Sequence, residues 1–153
     1  MNTAVAATGA AANPATRQEA MQQFLQGVAA DTEAYQALLD LLEQQFHAAL
    51  RHQSARLGEV AEAVSALADT LELRRRQRVA LATQLAGPDA TMAQVYALLK
   101  PELRARLEQD WRRLETMVTE CKRLGKRNSD LLVDQYTIMQ RVLHGEDQIY
   151  EPV

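Results

Sequence analysis

The sequence predicts an all-α protein: a long antiparallel helical hairpin, then a short helix and a long C-terminal helix, preceded by a disordered N-terminus. Three observations carry this. Ala, Leu, Gln, Glu and Arg, all good helix formers, crowd the chain, while aromatic residues make up only 5% of it. Glycine (6) and proline (4) are scarce. Apolar residues recur at alternating three and four spacing, and no strand-length run of alternating β-branched residues bounded by turns breaks the pattern. A chain of 153 residues suits one domain, which at that size buries roughly 70% of the surface exposed by the unfolded chain.

Residues 1–15, MNTAVAATGAAANPA, are small and nearly uncharged. They bury too little to offset their ordering entropy and are expected to be disordered. Thr16 and Glu19 form the capping-box pattern that opens a helix. The first helix then carries a continuous seam, Met21, Leu25, Val28, Thr32, Tyr35, Leu39, Leu42, Phe46 and Ala49. A tight reversal follows at Arg51-His52-Gln53, with Ser54 expected as the cap of the second helix. That helix continues the spacing through Leu57, Val60, Val64, Leu67 and Leu71, meets Arg74 and Arg78 where apolar residues should stand, and resumes at Leu81 and Leu85. The short reversal makes the two helices antiparallel neighbours.

Gly87-Pro88 ends the second helix. Asp89 or Thr91 then caps a short helix bearing Met92, Val95, Tyr96, Leu98 and Leu99. Pro101 suits the first position of the last helix. Its seam runs through Leu103, Leu107, Trp111, Leu114 and Val118 to Cys121, Leu124, Asn128, Leu131, Gln135, Ile138 and Val142. The helix is expected to stop near His144-Gly145, with a bend allowed at Gly125, leaving residues 146–153 as a flexible acidic tail. Two seam members, Asn128 and Gln135, are polar, the signature of a helix that packs specifically. The compact domain thus spans 16–145.

Little in the sequence points to chemistry. The three histidines are not spaced as helical metal ligands, and no Glu or Asp stands three residues before any of them, so a di-iron site in a bundle core is excluded. No phosphate-binding loop, dinucleotide fingerprint or nucleophile elbow occurs. No cofactor, metal or catalytic group is expected. The single Cys121 rules out an internal disulfide framework and reads as a core residue. The run Arg74-Arg75-Arg76-Gln77-Arg78 reads as a solvated helix face, with Glu72 four residues before Arg76. A net charge of −3 does not indicate nucleic acid. No apolar run approaches the ~18 residues of a membrane span. Ile149 and Tyr150 in the tail are either stray apolar residues or a docking peptide.

The order of parts, with the Arg-rich segment ELRRRQRVALATQL and the later LGKRNSDLLVDQ, resembles the FlgN family of flagellar type III export chaperones over roughly residues 17–150. The positions that carry the resemblance are Leu124, Asn128, Leu131, Leu132 and Gln135, followed by Tyr150. It implies a cytoplasmic, non-enzymatic chaperone for the hook–filament junction proteins FlgK and FlgL. The implied client surface comprises Leu124, Asn128, Leu131, Leu132, Gln135, Ile138, Met139, Val142 and Leu143, with Met117 and Met139 lending adaptability. The resemblance also implies that Tyr150 docks on the cytoplasmic domain of the export-gate protein FlhA. The tail departs from the family pattern, since Glu151-Pro152-Val153 replaces the usual glycine-containing continuation. A monomer and a homodimer both remain open, as does a self-assembling coiled coil built through the Met21–Ala49 seam.

Overall fold

A computed structural model describes residues 14–150, with side chains described for 16–146. The described residues form four helices and no strand: α1 (Pro14–Leu50), α2 (Ser54–Ala86), α3 (Met92–Ala97) and α4 (Pro101–Tyr150). Of the expected disordered N-terminus (1–15) and flexible tail (146–153), residues 1–13 and 151–153 lie outside the described residues, while 14–15 and 146–150 are helical, so Thr16 lies inside α1 rather than capping it. The all-α architecture is as the spacing requires.

The turn between α1 and α2 is closed by backbone groups. Gln53 N–H donates to the Ala48 carbonyl at 2.9 Å and His52 N–H to Ala49 at 3.2 Å, the paired bonds of a Schellman ending. This geometry puts His52 in the left-handed region, φ 54°, which usually favours glycine. Ser54 is the first residue of α2 rather than its cap; Gln53 holds the cap position and makes no side-chain capping bond. At the other end, Gly87 (φ 92°) stops α2, and Thr91, not Asp89, caps α3 through a reciprocal box with Gln94.

α1 is the central element. It packs against α2 on one side and α4 on the other, whereas the α2 and α4 backbones do not approach each other. One core cluster joins Phe24 and Val28 of α1 with Leu85 of α2, Val95 of α3 and Leu107 of α4; a second joins Leu38 and Leu42 with Leu71 and Leu124. Phe24 pairs with Leu107 near one end, and Ala49 meets Gln135 near the other, so α4 runs parallel to α1. Because α1 has neighbours on two sides, its buried line is broader than the predicted seam and includes Ala20, Phe24, Asp31, Leu38 and Ala48. The Met21–Ala49 seam is therefore consumed inside the chain.

The Arg-rich run of α2 corrects the expectation of a wholly solvated face. Arg75 and Arg76 do lie outside, on Glu72, and the hydrogen bond from Arg75 holds the Glu72 carboxyl down at about 2. Arg74 and Arg78 turn inward. Both reach the carboxylate of Asp31, which is only 1% exposed, Arg74 at 3.3 Å and Arg78 more closely. Arg78 also lies over the Trp111 ring, 5.5 Å from its centroid. The interruption in the α2 seam is thus filled by an ion cluster between α1 and α2 whose carboxylate is buried, with Trp111 of α4 against Arg78. The sequence signal was available: Asp31 stands on the buried side of α1, level with two arginines on the α2 seam.

Candidate functional site

The face of interest is the C-terminal half of α4, and its inner end is fixed by polar groups. Asn128 is 2% exposed; its Nδ2 donates to the Leu42 carbonyl and to Gln45 Oε1, both at 2.8 Å, while its Oδ1 accepts from Arg127. Arg127 in turn reaches Glu43 at 3.0 Å and stacks over the Phe46 ring at 3.8 Å. Two turns further, Gln135 Nε2 donates to the Ala49 carbonyl at 2.9 Å. The two polar seam residues are hydrogen-bonded anchors that set the register of α4 on α1, since sliding either helix would leave a buried amide unsatisfied.

Beyond Gln135 the partner helix runs out. α1 stops at Leu50, whereas α4 continues without a break at Gly125 and past the stop expected at Gly145, as far as Tyr150. Helix-breaking by Gly145 fails because one glycine weakens a helix by only about 1 kcal/mol and does not force it to end. Some fifteen residues, about 22 Å of helix, therefore project past the hairpin turn.

The expected client residues fall into three groups. Leu124 (3% exposed) and Asn128 belong to the interior, as does Met117. Leu131, Leu132 and Gln135 are half-buried. Ile138, Met139, Val142 and Leu143 are exposed by 59, 58, 58 and 52%, and with Ala49, His52 and Leu57 they line an open groove of about 830 Å³ beside the turn. The sequence reading had not singled out Val133 (59% exposed) and Tyr136 (64%), which extend the apolar strip. Their placement beside the seam, at positions not shared with α1, was the available signal. The Tyr150 backbone lies at the end of α4, and its side chain is outside the described residues.

The site offers contact surface rather than chemistry. Burial, and secondarily Glu120, pushes the Cys121 thiol up to about 11, so no ready thiolate exists there. Among the described residues no cluster of side chains is arranged to hold a metal, and no helix is long and apolar enough to cross a membrane.

Such a bundle, whose longest helix ends in an uncovered apolar strip, defines a helical protein-binding module. A family model described as FlgN protein matches residues 20–144, and the chain belongs to the FlgN family, which consists of flagellar export chaperones rather than enzymes. No curated protein and no solved structure matches the chain.

Proposed function

We propose that this chaperone acts in the cytoplasm, holds the C-terminal amphipathic segment of the hook-associated proteins FlgK and FlgL against the projecting part of α4, and delivers them to the cytoplasmic domain of FlhA. The observation that carries this reading is the strip of Ile138, Met139, Val142 and Leu143, each more than half exposed at the mouth of a groove. An amphipathic helix laid in that groove hides its own apolar face, which otherwise drives self-association. Leu124 and Asn128 support this surface from beneath, and Leu131, Leu132 and Gln135 form its inner border. Met139 suits a surface that accepts two clients, because its side chain adapts to different shapes. Tyr150, seven residues beyond Leu143, is the docking residue in this scheme.

The test is binding of a FlgK C-terminal peptide to Ile138→Asp/Val142→Asp protein. Capture should fall at least about a hundredfold while helicity is kept, as burying two carboxylates against an apolar client is strongly unfavourable. Wild-type affinity in that variant rules the surface out. Tyr150→Ala should retain the client and lose affinity for the FlhA domain; loss of client binding instead would assign Tyr150 to the groove.

A further inference from the structure

α4 carries two heptad seams side by side, and the chain uses only one. The first, through Leu124, Asn128, Leu131 and Gln135, faces α1. The second is Gly125, Ser129, Leu132, Tyr136, Met139 and Leu143, spaced four, three, four, three, four and displaced by one residue around the helix. Most of it is uncovered: Ser129 is exposed, Tyr136, Met139 and Leu143 are each more than half exposed, Gly125 and Leu132 are half-buried, and apart from the adjoining helix backbone no atom lies within 4 Å of where a Gly125 Cβ would be. A shallow groove along it is lined by Gly125, Ser129, Leu132, Val133 and Tyr136, with Gln45 of α1 on its edge.

We propose that this second seam pairs with itself, joining two copies of the chain through antiparallel α4 helices about a two-fold axis at the level of residue 134. The size pattern is self-complementary. Reversed on itself, the seam sets Gly125 against Leu143, Ser129 against Met139 and Leu132 against Tyr136, small against large at both ends and large against large at the centre. These are the facing pairs of an antiparallel coiled coil, and small residues opposite long ones let the backbones approach.

The flanks agree. Lys126, already held by Asp130 at 2.7 Å, falls beside Gln140 of the other copy, and Val133 meets its own counterpart at the axis. Asp130, Asp134 and Arg141 lie away from the contact around the helix, so no like charges are brought together. A client has no reason to share this internal symmetry; a second copy does.

The paired stretch is about 27 Å long, which places the contact near the low end of specific interfaces, about 1,000–1,200 Å² in all. Contacts at that end of the range are typically weak and transient, and the dimer is expected to dissociate in the micromolar range. Met139 and Leu143 belong both to this seam and to the groove beside the turn, so self-pairing covers part of the apolar strip in the empty protein.

The experiment uses the full chain without any client, so its outcome is independent of the chaperone assignment. Sedimentation equilibrium should show a concentration-dependent dimer. In a Cys121→Ser background, Val133→Cys should be joined to its counterpart by a short bis-maleimide, whereas Val79→Cys, of similar exposure on α2 (53%), should not. Tyr136→Asp should raise the dissociation constant at least about tenfold with helicity unchanged. A monomer throughout the micromolar range, equal cross-linking of the two cysteine variants, or a dimer indifferent to Tyr136→Asp each overturns the proposal.

Discussion

The two halves of α4 have the same heptad character and opposite fates. In the first half, Leu107, Leu114, Met117 and Leu124 are each no more than 6% exposed, sealed by α1 together with α2 and α3. In the second half, Ile138 and Val142 occupy the same seam and are nearly 60% exposed. Nothing in the apolar spacing changes between them. What changes is the supply of partners: α1 ends at Leu50 and the hairpin turns back, while α4 goes on. An unfilled seam is therefore produced by a difference in helix length, and a binding surface arises without any special local sequence.

The sharpest way to break this contrast is to damage the filled half. Phe24→Ala removes a 1%-exposed ring from the cluster that joins all four helices and should cost about 3–5 kcal/mol in urea denaturation. A loss below about 1 kcal/mol would show that the lower core is loosely packed. Asp31→Asn leaves Arg74 and Arg78 without their buried counter-charge. Because both arginines retain some solvent, the expected loss is about 2–4 kcal/mol, measured in the same way.

Smaller effects are expected at the hairpin turn and beyond. His52→Gly relieves a left-handed backbone at the Schellman ending and should stabilise the fold by about 0.5–1 kcal/mol, read as a higher urea midpoint. Smallest of all should be the stability change of the Ile138→Asp/Val142→Asp variant, within about 0.5 kcal/mol, because both positions are already solvated. Substitutions on α1 that strip the filled half of α4 of its partners should unfold the protein, whereas substitutions on the unfilled half of α4 should spare the fold and abolish client capture.

Much of this fold is legible in the chain. The apolar seam of α2, Leu57, Val60, Val64, Leu67, Leu71, Leu81 and Leu85, is legible residue for residue, because an amphipathic helix writes its buried face at a fixed period; that Arg74 and Arg78 complete it is not. The seam of α1 was read too narrowly, since a helix enclosed from two sides buries a wider arc than one seam. The end of α4 was placed too early, since a lone glycine is a weak stop. For the candidate surface, Ile138, Met139, Val142 and Leu143 are open, whereas Leu124 and Asn128 in the same stretch are in the core. Periodicity marks a face as apolar without saying whether anything lies against it.

By itself, then, the sequence determined the helices, their order, the hairpin and an apolar face on each, because these follow from local propensity, breakers and three-four spacing. Only the tertiary structure decided that Arg74 and Arg78 turn inward to Asp31, that Asn128 and Gln135 lock α4 onto carbonyls of α1, and that α4 outruns its partner at Gln135. Those outcomes depend on the relative lengths and register of separate helices, and burial belongs to two surfaces in contact rather than to either one alone.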